Sequence, residues 1–276
     1  MPNSVPMRLL TAFLGFCLML AGPLVDTTYA QCSPDVTKPV IVDMPNDTTQ
    51  TAESGACGAF INWDIPSATD NCELFFFNSN HAPGEFFGVG TTTVTYTAQD
   101  TAGNVKASSF FITITDDQNP GISGLPSDTT IAVIPGTCAA TYSWTEPTAT
   151  DNCGIASFSG DGTNGASFDK GTSTITYTAT DVNGNDSIAS FVITVMDNED
   201  PVITGTPSDT TILASSASCG QILNWIDASA SDNCGVTSFT ASPTNGSTFN
   251  VANSPVTVTL TATDAAGNTA TSTFIV

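Results

Sequence analysis

The sequence predicts an all-β protein made of three β-sandwich modules in tandem. Thr, Ser, Val, Ile and Phe recur in short alternating runs, which is typical of half-buried strands. After residue 30 no apolar stripe with helical spacing persists long enough to indicate an amphipathic helix. The segment Ser-Ala-Thr-Asp-Asn-Cys at residues 67–72 returns in similar form at 148–153 and 229–234, a period of 81 residues. That length suits one sandwich of seven strands, because such domains typically run to about 100 residues.

The repeat defines the expected domain organisation. We expect a signal peptide at residues 1–30, a short N-terminal segment at 31–36, and repeats at 37–117, 118–198 and 199–276, joined by short exposed linkers. Tryptophans keep the period, and we expect all three to be core residues near the disulfides: Trp63, Trp144 and Trp225.

Residues 1–30 have the composition of a secretory signal. Arg8 precedes a largely apolar stretch, Leu9 to Leu20, and small residues at Thr28 and Ala30 suit cleavage. No later segment is apolar enough to span a bilayer. We therefore expect a secreted or cell-surface protein with no membrane span after signal removal.

The third copy is expected to stop inside its final strand. Phe274-Ile275-Val276 aligns with Phe191-Val192-Ile193, after which the second copy continues its strand. Because a strand cut there leaves ladder hydrogen bonds unmade, we expect the intact protein to continue beyond Val276 with further repeats or an anchoring domain.

The second copy shows the expected strands most clearly. In the sixth, Ile175, Tyr177 and Ala179 point one way while threonines point the other, as in a half-buried antiparallel strand. Asp181-Val182-Asn183-Gly184-Asn185 then supplies turn chemistry for a hairpin. The seven strands are expected near residues 121–123, 129–134, 139–144, 155–159, 166–168, 173–179 and 187–195.

The charge balance excludes several classes of partner. The formal net charge is −22, and Lys and Arg together number four. Nucleic-acid affinity comes chiefly from Lys and Arg that release counterions from phosphates, so we expect no nucleic-acid partner. The expected partner is an extracellular protein or glycan. The acidic composition favours solubility, and binding of divalent cations is its alternative role.

The cysteines indicate one disulfide per repeat. Six of the eight form pairs 15 residues apart, and closing such a loop is worth about 3 kcal/mol in the chain-entropy model. Two cysteines per copy with no recurring His cannot complete a tetrahedral zinc site. Cys17 falls in the signal peptide, and Cys32 is left over, free or paired with another chain. The expected pairs are Cys57 with Cys72, Cys138 with Cys153, and Cys219 with Cys234.

Two motifs resemble those of the hyalin repeat (HYR) family. The first two copies contain Trp-x-x-Pro-x-Ala-x-Asp-Asn-Cys followed by Thr-Tyr-Thr-Ala-x-Asp-x-x-Gly-Asn, and the resemblance covers about 240 residues. The third copy departs at Ala228, in place of the proline, and at Leu260, in place of the tyrosine. The resemblance implies an immunoglobulin-like fold, a role in extracellular adhesion, and no enzymatic activity.

No catalytic set is evident. His81 is the only histidine and has no counterpart in the other copies, and none of the five glutamates recurs in register. A nucleophile, a base and an orienting group are therefore not available for a hydrolytic triad. We expect no enzymatic activity.

Two groups of acidic residues are candidates for calcium, a hard cation that prefers carboxylate and carbonyl oxygens. One group comprises the Asp-Asn before each second cysteine and the Asp-x-x-Gly-Asn hairpins. Its alternative roles are a loop that positions the disulfide and an Asx turn. The other group lies at the module junctions and comprises Asp116, Asp117, Asp197, Glu199 and Asp200.

The leading functional hypothesis is an adhesive or structural part of a larger secreted or cell-surface protein. Tandem modules without a catalytic set supply reach and multivalency. The alternative is a passive stalk that presents an enzyme or binding domain located elsewhere.

Overall fold

The structure is a computed structural model that describes residues 34–276. The expected signal peptide, Cys17 and Cys32 lie outside the described residues. The chain forms two compact units. Among the described residues, the first comprises 34–48, Phe60–Glu85 and Thr91–Thr113, and the second comprises Thr49–Ala59, Phe86–Gly90 and Ile114–Val276.

The all-β prediction is confirmed, since the described residues form strands and one short 3-10 turn at Val251–Asn253. The first repeat contains β1 (Val40–Val42), β2 (Thr48–Thr51), β3 (Gly58–Ile61), β4 (Ser67–Thr69), β5 (Leu74–Ser79), β6 (Glu85–Gly88), β7 (Gly90–Asp100) and β8 (Val105–Thr115). The second contains β9 (Gly121–Ser123), β10 (Thr129–Ala132), β11 (Ala139–Thr141), β12 (Thr148–Thr150), β13 (Ile155–Gly160), β14 (Ser167–Asp169), β15 (Gly171–Asp181) and β16 (Asp186–Met196). The third contains β17 (Val202–Thr204), β18 (Gly220–Ile222), β19 (Ser229–Ser231), β20 (Val236–Ser242), β21 (Thr248–Asn250), β22 (Thr257–Asp264) and β23 (Thr269–Ile275).

The second repeat is a two-layered sandwich. One layer is a four-stranded sheet in the order β10-β16-β15-β13, in which β10 runs parallel to β16 and the other pairs are antiparallel. The other layer consists of the antiparallel pairs β9–β12 and β11–β14. All seven strands expected in this copy are present. The eighth, β12, has only three residues and was not predicted.

The β15–β16 hairpin is the longest ladder of the repeat, with Gly171 opposite Val195 and Thr180 opposite Asp186. Burial alternates along β15 as the sequence predicts, since Ile175, Tyr177 and Ala179 are buried and the intervening threonines are not. Gly184 takes a φ of 96° in the turn, a conformation that glycine adopts without steric penalty.

The core of the second repeat lies between its two layers. Apolar side chains of β15 and β16 pack against Val133, Ala140 and Trp144, and Ile122 and Phe168 close its edges. Trp144 is 9 % exposed, donates a hydrogen bond from Nε1 to Tyr177 Oη at 2.7 Å, and makes an edge contact with Phe191. The tryptophan therefore joins the two layers.

The other two tryptophans are half-buried at equivalent places. Trp63 Nε1 donates to Tyr96 Oη at 2.8 Å and the ring meets Phe110 edge-on. Trp225 meets Phe274 edge-on, and Leu260 stands where the other repeats have the tyrosine that accepts the indole hydrogen bond.

The third repeat has a three-stranded sheet, β20-β22-β23, beside the pairs β17–β19 and β18–β21. Its residues 210–213 do not form a counterpart of β10. Thr210 donates one backbone hydrogen bond to the Ile275 carbonyl, and β23 ends at that residue. In the first unit, β1 pairs with β4 and β5 pairs with β7, both antiparallel.

Candidate functional site

Two disulfides among the described residues join successive repeats, so the pairing expected from the sequence is wrong for their cysteines. Cys57 is bonded to Cys153 and Cys138 to Cys234, with Cα–Cα distances of 4.7 and 4.8 Å and a sequence separation of 96 residues in each case. The expected pair Cys138 with Cys153 is therefore excluded, since both residues have other partners. Cys72 is also disulfide-bonded, but not to Cys57, whose partner is Cys153. The expected pair Cys219 with Cys234 does not form, and Cys219 is free and exposed.

Each inter-repeat disulfide is accompanied by an asparagine that precedes its second cysteine. Asn152 Nδ2 donates to the Ala56 carbonyl oxygen at 2.9 Å and to Asp116 Oδ1 at 3.2 Å. Asn233 Nδ2 donates to the Thr137 carbonyl oxygen at 2.6 Å. The Asp-Asn-Cys element thus binds the preceding repeat through both a covalent bond and a hydrogen bond.

The linker between repeats adds a second polar contact. Gln118 Oε1 accepts the Gly55 N–H at 2.8 Å, and its Nε2 donates to the Glu53 carbonyl at 3.0 Å. At the next linker Glu199 accepts the Gly136 N–H at 3.0 and 3.2 Å. Gln118 and Glu199 therefore hold the linkers against the preceding repeat, while Asp117 and Asp200 beside them are exposed.

Three aspartates converge at what we call the first junction, the site formed by Asp116, Asp151 and Asp181. One carboxylate oxygen from each lies within 4.8 Å of the others. Asp116 comes from the linker, Asp151 from the Asp-Asn-Cys element and Asp181 from the β15–β16 turn. The fold thus unites the two groups that the sequence offered separately as calcium candidates.

Several of these oxygens are already engaged in local turns. Asp181 Oδ1 accepts the backbone N–H groups of Asn183, Gly184 and Asn185 at 2.6–2.8 Å, and Asn185 Nδ2 donates to Oδ2 at 2.7 Å. Asp151 Oδ1 accepts the Cys153 N–H at 2.8 Å. The Asx turn and the loop that positions the disulfide are therefore both present.

One oxygen at the first junction has no such role. Asp116 Oδ2 is inaccessible to solvent and has no hydrogen-bond partner among the described residues. A buried carboxylate oxygen without a donor is costly, because it has lost its hydration and gained nothing in exchange. A cation between the three carboxylates would supply the missing partner.

The second junction, formed by Asp197, Asp232 and Asp264, repeats this arrangement with tighter burial. Asp197 and Asp264 are 5 % and 3 % exposed, and one oxygen of each aspartate lies within 4.8 Å of the others. Asp197 Oδ2 and Asp232 Oδ2 are buried without hydrogen-bond partners. The Nζ of Lys170 lies 3.6 Å from Asp197 Oδ2 and is itself buried.

Lys170 makes the two junctions chemically different. Val89 and Val251 are its counterparts in the other repeats, and the backbone N–H of all three donates to the carbonyl of the neighbouring cysteine. The first junction therefore has three carboxylates and no facing lysine at this position, whereas the second has an internal cation.

A related group of two aspartates and one cysteine lies in the first unit. Asp35, Asp70 and Cys72 place ligand atoms within 4.8 Å of one another, and Asp35 Oδ2 and Asp70 Oδ1 are buried without hydrogen-bond partners. Because Cys72 is disulfide-bonded, its sulfur is not a thiolate ligand. Asp35 precedes its repeat as Asp116 and Asp197 precede theirs.

The hairpin aspartates have lowered pKa values. Burial acts to raise the pKa of Asp181, but the hydrogen bonds that it accepts from Asn185, Asn183 and Gly184 outweigh burial and hold the pKa below its ordinary value. The same balance lowers the pKa of Asp100 and of Asp264. All three carboxylates therefore stay ionised well into acid.

Of the five junction residues proposed from sequence as calcium ligands, two belong to the aspartate groups, Asp116 and Asp197. Asp117 and Asp200 are exposed and belong to neither group, and Glu199 binds a backbone N–H instead. The aspartates of the Asp-Asn-Cys elements and hairpins, which the sequence also offered, complete both sites. His81 lies in an exposed loop with Nδ1 2.8 Å from Glu85 Oε2.

The fold and its junctions define an array of disulfide-linked β-sandwich repeats of the extracellular kind. Residues 34–114, 115–195 and 196–276 each match the HYR domain, so the chain belongs to the HYR domain family and the resemblance seen in the sequence is confirmed. The protein is accordingly secreted or displayed at the cell surface. No helix among the described residues is long and apolar enough to cross a membrane.

Named relatives include two hyalins. The chain is 36 % identical over 250 residues to Hyalin of Strongylocentrotus purpuratus, which covers 87 % of this chain and 21 % of that protein. It is 35 % identical over 250 residues to Hyalin of Lytechinus variegatus, and the match covers 87 % of this chain and 47 % of that protein. The chain therefore spans about a fifth and about half of these two relatives.

Similar solved structures are cadherin domains. Protocadherin gamma B2 extracellular cadherin domains 1–5 give a TM-score of 0.33 at 14 % identity, covering 86 % of this chain and 59 % of that one. Mouse cadherin-23 EC22–24 gives a TM-score of 0.30 at 17 % identity, covering 86 % and 98 %.

Proposed function

We propose that the chain is a non-enzymatic adhesive or structural segment of a larger extracellular protein, in which covalent bonds between repeats keep the array in register. The observation that carries this proposal is the disulfide and asparagine contact repeated at both junctions. A tether that works under load gains from bonds between modules, because separation then requires breaking a covalent bond rather than a weak interface.

The experiment is a binding screen of the oxidised array against extracellular glycans and matrix proteins. Saturable binding that survives in high salt, where screening suppresses nonspecific attraction to an acidic chain, supports adhesion. Absence of binding favours the second candidate, a passive stalk that presents another domain. The same junction bonds favour the stalk as well, so only the ligand distinguishes the two candidates.

A second proposal concerns the aspartate groups. The first junction binds a divalent cation of the calcium type through Asp116, Asp151 and Asp181, and the second binds one against the opposing charge of Lys170. Support comes from the convergence of three carboxylates and from buried oxygens that have no donor. Extracellular modules typically bind calcium with dissociation constants of about 10⁻⁴–10⁻³ M. Hence millimolar calcium should raise the melting temperature and stiffen the array in solution scattering, and EDTA should reverse both changes.

Asp116→Asn is the test variant for the first junction. It keeps the Oδ1 acceptor for Asn152 and removes the charge, so the calcium response should shrink while the disulfide remains. Asp117→Asn, which alters an exposed neighbour outside the group, is the matched control. An equal response in the two variants would remove the calcium proposal and leave the structural one intact.

A further inference from the structure

Cys219 occupies the position that forms an inter-repeat bond in both other repeats. Its counterparts at the same period are Cys57 and Cys138, and each of these is bonded to the Asp-Asn-Cys cysteine of the repeat that follows. Cys219 is exposed and free.

The turns that contain these cysteines share backbone hydrogen bonds but differ in conformation, since Gly55 and Gly136 take a positive φ in the bonded repeats whereas Cys219 itself takes a φ of 51° in the third. The carbonyls of Cys57, Cys138 and Cys219 accept backbone hydrogen bonds from Val89, Lys170 and Val251 at 3.1–3.3 Å. The N–H groups of Glu53, Ile134 and Ser215 donate to the carbonyls of Gly58, Ala139 and Gly220. The third repeat thus presents the same supporting contacts as the two repeats whose cysteine is bonded.

The Asp-Asn-Cys cysteines of this chain are already used. Cys153 and Cys234 are bonded at the two junctions, and Cys72 is disulfide-bonded as well. A partner for Cys219 of the same kind must therefore come from an HYR repeat other than these three.

We propose that Cys219 is the attachment point for a further HYR repeat, through a disulfide with the cysteine of that repeat's Asp-Asn-Cys element. The asparagine of the incoming element then donates to the Ser218 carbonyl, the counterpart of the Ala56 and Thr137 carbonyls at the existing junctions. This proposal rests on the bonding seen at both junctions and holds whether the array adheres or acts as a stalk.

The bond forms by oxidation of two thiols. Each sulfur loses a proton, one sulfur–sulfur bond forms, and the two electrons reduce a disulfide oxidant such as oxidised glutathione to two thiols. An oxidising extracellular or secretory compartment supplies such an oxidant.

The test joins an additional copy of residues 196–276 after Val276 of the full chain and refolds the product in a glutathione redox buffer. Peptide mapping without reduction should find Cys219 linked to the cysteine of the appended Asp-Asn-Cys element, and alkylation of Cys219 should be lost. A free Cys219 beside a folded appended repeat, or a bond to the appended copy of Cys219 itself, would overturn the proposal.

A second arm tests whether the incoming repeat can belong to another molecule. In the extended chain, Cys219→Ser in the third repeat removes the disulfide partner of the appended Asp-Asn-Cys cysteine. This variant is then mixed with the unextended chain, which supplies a free Cys219. A disulfide-linked heterodimer through Cys219 supports attachment between molecules. If Cys219 is linked to the appended repeat only in the first arm, the bond joins repeats of one chain. A homodimer formed by two copies of Cys219, in place of a bond to the Asp-Asn-Cys cysteine, contradicts attachment both within a chain and between chains.

Discussion

Cys57 in the first repeat is bonded to Cys153 in the second, across 96 residues of chain. The closed loop therefore includes most of one repeat and part of the next. In the chain-entropy model a loop of 100 residues is worth about 4.7 kcal/mol, and removal of a native disulfide typically costs 2–5 kcal/mol. The bond also couples the unfolding of two modules.

Cys57→Ser should therefore lower the free energy of unfolding by about 2–5 kcal/mol. It should also release Cys153 as a reactive thiol, which an intra-repeat pairing of Cys57 with Cys72 would not do. Urea denaturation measures the first effect and peptide-level alkylation the second. Cys219→Ser is the control, and because that thiol is free and exposed its melting curve should match the wild type. Release of Cys72 in place of Cys153 would contradict the pairing.

Asn152→Ala should weaken the same junction without touching the disulfide. The variant leaves the Ala56 carbonyl without its donor, and loss of a partner for a buried polar group costs about 1–3 kcal/mol. The lower end applies here because Asn152 is only part-buried. Hydrogen exchange at residues 53–57 should rise together with the fall in stability. Asn183→Ala, in the exposed β15–β16 turn, should change neither.

The strands were predictable because alternation with a period of two is a local signal, as Ile175, Tyr177 and Ala179 illustrate. The disulfide pairing was not, because cysteines 15 residues apart recur in every copy whichever repeat supplies the partner. A topological signal existed. Cys138 directly precedes the predicted strand at 139–144, which carries the chain away from it, and a disulfide requires Cα atoms less than about 7 Å apart, so an intra-repeat pair would need the chain to turn back before Cys153.

The individual aspartates of the junction sites were predictable, but their arrangement into one site was not. Asp116, Asp151 and Asp181 are each marked by a local motif, but their convergence depends on where the linker, the loop and the hairpin turn meet. Lys170 could not be identified as part of the second site from sequence, because it has no counterpart in the other copies and lies 27 residues before Asp197.

The lowered pKa of Asp181 predicts a specific acid sensitivity. A carboxylate whose pKa is lower in the folded state stabilises the fold at any pH above its unfolded pKa, about 3.9 for Asp, and this contribution is lost as the pH falls through the folded value. In EDTA the wild type should therefore melt at a higher temperature than Asp181→Asn at pH 7. The difference should narrow below about pH 4.

Asn183→Ala serves as the control for this acid titration, because it alters the same turn and leaves the Asp181 carboxylate in place. It should follow the wild-type dependence on pH in thermal melts monitored by circular dichroism. A wild-type advantage over Asp181→Asn that stays constant down to pH 2 would show that the carboxylate's ionisation does not stabilise the turn.

Lys170→Val tests the difference between the two junctions, since valine occupies the equivalent position in the other repeats. Without calcium the variant removes the ammonium group 3.6 Å from a buried carboxylate and should lose about 1–3 kcal/mol, less than a fully buried pair because the Lys170 side chain as a whole is 25 % exposed although its Nζ is buried. With millimolar calcium the cation can enter the second junction unopposed, so the melting temperature should recover, and calcium should stabilise this variant more than the wild type. Lys106→Val, at an exposed lysine, should show the wild-type calcium response. If Lys170→Val is destabilised and calcium restores nothing, the lysine is a structural partner of Asp197 and the second junction is not a cation site.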